Sequence, residues 1–170
     1  MTRVMVIGNA GGGKSTLCRA VCAVHGLPYF AIDKIQWRPN WVRTPEAEFR
    51  AAHDRLIAQE RWLIDGYGPW QAVEARLDAC DTVIFVDHPF RIHLWWAAKR
   101  QIKSLFVGRP DGPEGCPMWP VTLRLFRMMW WLHREMRPNL VTAIDRRRGR
   151  LRVIHIDSPR ALDTFARDPM

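Results

Sequence analysis

The chain has no apolar run long enough to cross a membrane. Its longest stretch free of Asp, Glu, Lys and Arg, Ala20 to Ile32, has 13 residues and includes His25 and Pro28, whereas a transmembrane helix takes about 20 predominantly apolar residues. Cysteine is scarce. Cys18, Cys22, Cys80 and Cys116 form no CxxC pair and no zinc-type spacing, so buried free thiols are expected rather than a metal ribbon or a disulfide framework. Acidic residues are outnumbered, 17 against 26 Lys and Arg, for a formal net charge of +9. A surface of that sign attracts phosphates on nucleotides, nucleic acid or lipid without choosing among them. Internal repeats and low-complexity tracts are missing, and the N-terminal residues show no small-residue cleavage site, which sets a cytoplasmic expectation. A hydrophobic share of 48% with 25% charged residues excludes disordered and fibrous classes. At 170 residues, one domain spanning residues 1–170 is expected.

What is present begins with periodicity. Arg3 to Ile7 is an apolar run ending at glycines and reads as a buried strand, followed by a helix from about Ser15 to His25. Further strands are expected at Tyr29 to Ile32, Trp62 to Ile64, Thr82 to Val86 and Leu151 to Ile156. Between them, Thr44-Pro45 supplies an N-cap and an N1 proline for one helix. Others read as about Trp70 to Leu77, Phe90 to Leu105, Val121 to Met136, Asn139 to Arg147, and a terminal helix from Pro159. Val107 to Pro120 holds three glycines and four prolines and predicts an irregular insertion. Short apolar strands alternating with helices imply an α/β fold, a parallel sheet covered on both faces with right-handed crossovers.

The strongest motif is Gly8-Asn9-Ala10-Gly11-Gly12-Gly13-Lys14-Ser15, a full GxxxxGK[ST] between a strand and a helix. Its glycines permit positive φ and close backbone approach, so that N–H groups wrap a phosphate at a helix N-terminus. Lys14 would reach the β- and γ-phosphates of ATP, the Ser15 hydroxyl would ligate Mg²⁺, and Thr16 would face the α-phosphate. The NKxD base-reading motif of GTPases is absent, and motor ATPase cores are larger. A small phosphotransferase is the favoured class.

In such a sheet the ligand lies beyond the carboxyl ends of the strands, where Asp33, Asp65 and Asp87 are each expected to terminate one. Asp65 is a candidate for the metal sphere, or else an N-cap or turn residue. Asp33 is a candidate for binding the acceptor or taking its hydroxyl proton, with a turn role equally open. Asp87, before His88-Pro89, is expected to cap a helix. On the helix after the insertion, Leu125, Met129, Leu132 and Met136 form an apolar stripe, with Arg127, Trp130, Arg134 and Arg137 opposite. Arg127 is expected to be solvated surface. Arg134 and Arg137, with Arg100 near the end of the preceding helix, could point guanidinium groups across the insertion toward a phosphoryl group in flight. The run Arg146-Arg147-Arg148 and Arg150 complements a helix C-terminus or forms a nucleic-acid patch. Trp95-Trp96 and Trp130-Trp131 fall in helices, where packing is the expected role.

Taken in order, these segments resemble the bacterial DNA topology modulation (FlaR-like) proteins, a branch of the adenylate-kinase-like P-loop proteins. The likeness rests on Gly8 to Ser15, on Ile32-Asp33-Lys34-Ile35-Gln36-Trp37, and on Trp62-Leu63-Ile64-Asp65-Gly66-Tyr67. It continues in Arg109-Pro110-Asp111 and Glu114-Gly115-Cys116-Pro117. The resemblance implies a five-stranded parallel sheet in order 2-3-1-4-5 with a lid at about 107–120. It implies Arg100 at the lid root against ATP, Arg134 and Arg137 clamping the transferred phosphate, and Ser158-Pro159-Arg160 bordering the adenine, Pro159 included. The AMP-selecting segment and long lid of a true adenylate kinase are not recognisable, which leaves the acceptor open, a nucleoside monophosphate being one candidate. The expected activity is transfer of the γ-phosphoryl of Mg-ATP to a small acceptor, with weak, non-specific DNA binding. The alternatives are an ATP-dependent regulator coupled to DNA and a membrane-surface binder using Trp and Arg on its helices. Oligomeric state is not legible.

Overall fold

The computed structural model describes residues 1–104 and 113–169. The central strands are β1 (Arg3–Gly8), β2 (Tyr29–Ala31), β5 (Trp62–Asp65), β6 (Thr82–Val86) and β7 (Arg152–Ile156), all parallel, in the order β2-β5-β1-β6-β7. Counted within the sheet, this is the 2-3-1-4-5 order that the resemblance implies. The helices are α1 (Lys14–His25), α2 (Ile32–Gln36), α3 (Glu46–Ile57), α4 (Trp70–Ala79), α5 (Phe90–Ser104), α6 (Thr122–Trp131), α7 (Arg137–Asp145) and α8 (Pro159–Arg167). A short antiparallel ribbon, β3 (Trp37–Arg38) and β4 (Val42–Arg43), follows α2 and was not legible as strand.

The sheet is buried on both faces because successive side chains of its strands point opposite ways. Met5, Ile7, Ile64 and Phe85 pack with Phe49 of α3, Val73 and Leu77 of α4, and Leu140 and Ile144 of α7. Val4, Val6, Leu63, Ile84 and Val86 pack with Leu17 and Val21 of α1 and Leu162 of α8 on the other face. Each such side chain contributes roughly 1.5–3 kcal/mol on full burial. A third cluster joins Ala97 of α5, Met118, and Leu125 and Met129 of α6 to Ala10 and Trp41. It ties the glycine-rich loop to the ribbon.

Several boundaries depart from expectation for identifiable reasons. Strand β2 stops at Ala31, so Asp33 sits in the first turn of α2 rather than at a strand end. Helix α3 begins at Glu46 with Pro45, not Thr44, at its N-cap and no side-chain cap bond. The two helices expected on either side of Pro138 are one continuous run, α6 and α7 joined by a π-helical turn, Leu132–Met136. Pro138 lacks an N–H and its ring crowds the carbonyl four residues back, and a wider turn relieves both. That extra residue rotates everything after it. Arg137 therefore leaves the outward face it would occupy in a regular helix and points to the sheet. Of the insertion at 107–120, residues 107–112, with the Arg109-Pro110-Asp111 motif, and the expected helix end Leu105 lie outside the described residues. Residues 113–118 form no regular element, and Trp119–Val121 is a single 3-10 turn.

The amino ends of the central strands are stapled by Asp81. Its carboxylate accepts from the Thr2 and Arg3 backbone N–H groups at 2.8 and 2.7 Å and from both the Thr2 and Thr82 hydroxyls at 2.6 Å. Burial alone would raise its pKa, but these donors, Thr2 foremost, outweigh burial and bring it to about 2. Asp81→Asn should lose about 1–3 kcal/mol of stability at neutral pH. Because the folded-state pKa lies below the unfolded value, the contribution is present above about pH 4 and fades as pH falls toward 2. Unfolding free energies of both proteins from pH 7 to pH 2 should converge at the acid end.

Candidate active site

The glycine-rich loop leaves β1 at Gly8 and re-enters helix at Lys14, with Gly13 in the left-handed region as the α1 N-cap. No acidic side chain occupies the first turn of α1, so its N-terminal N–H groups and dipole are free of a built-in counter-charge. The loop is propped from outside. Asn9 donates from Nδ2 to the Met129 carbonyl of α6 at 2.8 Å, while its Oδ1 accepts the Ala10 N–H at 2.8 Å. His93 of α5, buried, bonds the Ala10 carbonyl through Nδ1 at 3.1 Å, so that nitrogen carries the proton. Burial, then the nearby Lys14 and His88, bring the pKa of His93 down to about 4 and keep the ring neutral. At Gly11 the φ is +68°, and a Cβ would collide with the His93 carbonyl and lie 2.7 Å from the Ala97 nitrogen. Helix α5 thus meets the loop backbone to backbone.

Sheet register gathers the acids. Asp65 pairs with Val6 on one side and Ala31 on the other, two residues before Gly8 and Asp33 respectively. Its carboxylate is buried. Oδ2 accepts from the Tyr29 hydroxyl at 3.4 Å, and Oδ1 has no hydrogen-bond partner among the described residues. Burial raises its pKa, Lys14 opposes that, and Asp33 adds to it. The Lys14 ammonium donates to the Asn9 carbonyl at 2.9 Å. Burial lowers its pKa, Asp65 and Asp33 work against burial, and Arg100 works with it. Lys14, Asp65 and Asp33 therefore lie within electrostatic reach of one another at the carboxyl end of the sheet, and Arg100 is near enough to act on Lys14. The Asp65 oxygen without a partner among the described residues could accept hydrogen bonds from metal-bound water, and the Ser15 hydroxyl, in the first turn of α1, could be a direct ligand.

The other sequence candidates fall in different surroundings. Arg137 makes a bidentate pair with Asp87, 2.7 Å on each arm, and Asp87 also accepts from His155 at 3.1 Å. Asp87 thus directs its oxygens at Arg137 and His155, not at the helix N-terminus it was expected to cap. Beside this pair a small cavity is lined by Asn9, Tyr67, His93 and His133. Arg134 is exposed and lies over the Trp130 ring, 5.7 Å from its centroid. Pro159 opens α8 after Ser158, whose hydroxyl accepts the Ala161 N–H at 3.3 Å, and Leu162 of that helix abuts Gly13. Thr16 is exposed and Arg127 is exposed. Arg147 pairs bidentately with Asp78, and Arg150 donates to the Leu77 and Asp78 carbonyls at the end of α4. Those two arginines complete a helix terminus within the chain.

Sequence reasoning missed two supports. Arg76, fully buried, donates to the Ala72, Gly66 and Tyr67 carbonyls and so fixes the loop after Asp65; burial lowers its pKa to about 10. Its signal was an arginine on the apolar face of α4, beside Ala72, Val73 and Leu77. His93 had no local signal. Its role depends on α5 lying under a loop more than eighty residues away in sequence.

No protein-family model matches the chain, and no curated protein does. Among solved structures, the chain is similar to a shikimate kinase from Acinetobacter baumannii in complex with shikimate, with 17% identity, a TM-score of 0.60 and 99% and 90% of the two chains covered. A gluconokinase from Sinorhizobium meliloti 1021 gives 14%, 0.55 and 98% and 87%. A shikimate kinase from Bacteroides thetaiotaomicron gives 16%, 0.51 and 98% and 94%. The fold is that of the P-loop kinases. The narrower resemblance to the topology modulation proteins rests on the motifs alone.

The backbone contact at Gly11 makes a prediction. Gly11→Ala should unfold at lower temperature and bind Mg-ATP more weakly than Gly13→Ala, although both glycines have positive φ, because a Cβ at Gly13 meets only side-chain atoms, of Leu162 and Trp96, whereas at Gly11 it meets backbone. Differential scanning calorimetry and nucleotide titration of both variants measure the contrast.

Proposed function

We propose that the protein is an ATP-dependent kinase that phosphorylates a small hydroxyl- or phosphate-bearing acceptor. The observation carrying this reading is the mutual placement of Lys14, Asp65, Asp33 and Arg100 around the phosphate loop, on a fold shared with kinases of small acceptors. Gly8 to Thr16 would hold the triphosphate through backbone N–H groups, with Lys14 leaving the Asn9 carbonyl to meet the β- and γ-oxygens. Mg²⁺, held by Ser15 and through water by Asp65, would neutralise charge on those oxygens. Asp33, on the first turn of α2, is assigned to the acceptor hydroxyl, which it orients and whose proton it accepts. Arg100, which acts on Lys14 at the end of α5, is assigned to the transferring phosphoryl group. Arg134 lies over Trp130 and Arg137 pairs with Asp87, whereas Arg100 acts on Lys14, so both rank behind Arg100. The start of α8 at Pro159, next to Gly13 through Leu162, is assigned to the nucleotide base side of the site.

Lys14→Ala should abolish turnover and weaken Mg-ATP binding with the fold intact. Asp65→Asn should raise the Mg²⁺ concentration required, whereas Asp33→Asn should chiefly lower acceptor use. Arg100→Ala should cost on the order of 10³–10⁵ in kcat with a smaller change in ATP affinity. The experiment is a panel of small alcohols and phosphates, with shikimate, gluconate and nucleoside monophosphates among them, scored for ADP release and for phosphorylated acceptor. ATP binding without phosphorylation of any member, or identical defects in the two Asp variants, would contradict the reading.

A further inference from the structure

Helices α5 and α6 turn their inner sides to the phosphate loop and leave an outer face that no part of the described chain covers. Of the nine large hydrophobic side chains exposed among the described residues, seven lie from Trp95 to Trp131. Four are tryptophans: Trp95, Trp119, Trp130 and Trp131 are 58%, 64%, 55% and 50% exposed. Monomeric proteins rarely expose such contiguous apolar surface without a use for it. The expectation that Trp95 and the Trp130-Trp131 pair serve core packing is overturned, since only Trp96 of the two dipeptides turns inward, against His88.

Helical spacing makes this one surface. On α5 the exposed stripe is Arg91, Trp95, Lys99 and Ile102 at intervals of three to four residues, opposite buried His93 and Ala97. On α6 and the π turn that continues it, the stripe is Leu123, Arg127, Trp130 and Arg134, opposite buried Leu125 and Met129. Trp130 meets Phe90 edge-on at 5.5 Å between centroids, which sets the α6 stripe beside the start of α5, where the α5 stripe begins at Arg91. Cations are interleaved with the rings: Lys99 Nζ lies 4.7 Å from the Trp95 centroid and Arg134 lies over Trp130. Within these two stripes every charged residue is basic.

We propose that this face docks the protein on an anionic lipid bilayer, as a peripheral contact. Indole rings favour the headgroup region, and long basic side chains bury their stems while reaching lipid phosphates. Charge selects this occupant over a second copy of the chain, because two such faces would set arginines and lysines against their own kind. None of the described helices is long and apolar enough to cross a membrane, so contact stays at the surface. The phosphate loop lies on the inner side of both helices, away from the docked face.

The test is co-sedimentation of the full-length protein with vesicles of pure phosphatidylcholine and of phosphatidylcholine with about a third phosphatidylglycerol, at two salt concentrations. Expected is binding to the anionic vesicles only, weakened by salt. Trp95→Ser/Trp130→Ser and Lys99→Glu/Arg127→Glu should each lower the partition coefficient at least tenfold, with thermal unfolding and Mg-ATP binding unchanged. An Arg146→Glu/Arg148→Glu control, away from the face, should lower it less. Four results would overturn the proposal: no anionic vesicle binding, equal binding to neutral vesicles, tryptophan variants that bind like the parent, or a concentration-dependent dimer that the tryptophan variants abolish.

Discussion

A loop that offers its N–H groups to a phosphate cannot use those groups to hold itself together, so its shape must be imposed by neighbours. Here the imposition comes from α5 and α6. The α5 backbone at His93 and Ala97 reaches the Gly11 backbone, the His93 ring fixes the Ala10 carbonyl, and Asn9 ties the loop to the Met129 carbonyl. Most of what else is distinctive follows from those contacts. Helix α5 is buried on the His93 side, and the cluster of Ala97, Met118, Leu125 and Met129 packs against Ala10 of the loop and against Trp41.

The formal charge of +9 describes composition, not an interaction surface. Arg76 is wholly internal, Arg137 is neutralised by Asp87, and Arg147 and Arg150 share Asp78 and the end of α4. Each of these guanidinium groups satisfies carbonyls or a carboxylate that folding would otherwise leave bare. The cations that remain outward are distributed, and on α5 and α6 they alternate with tryptophan. Placement, rather than total charge, separates a structural arginine from one that can meet a partner.

The two ends of the sheet do different work. At the amino ends, Asp81 accepts four hydrogen bonds, and these outweigh burial and keep it ionised. At the carboxyl ends, Asp65 is buried with one oxygen unpartnered among the described residues, beside an ammonium whose own pKa burial depresses. The first arrangement stabilises the fold. The second leaves polar groups under-satisfied, which is the state in which an incoming phosphate or metal-bound water gains most.

The sequence by itself determined the parallel sheet, its strand order through the resemblance, and the phosphate loop with Lys14 and Ser15. These are local facts: two-residue and 3.6-residue periods and a glycine pattern whose chemistry works wherever strand meets helix. Asp65 was legible for the same reason, as the end of the apolar run Trp62 to Ile64. Tertiary structure alone decided the fate of Asp87, His93 and Arg137, because the partner of each is distant in the chain or reached through an irregular turn. A single extra residue in the π turn rotated Arg137 from the outer face to Asp87, and no composition or period announces such a turn. It also decided which tryptophans are core and which are surface. Periodicity assigns a residue to a side of its helix, but only the packing of α5 against α6 settles whether that side meets protein or water.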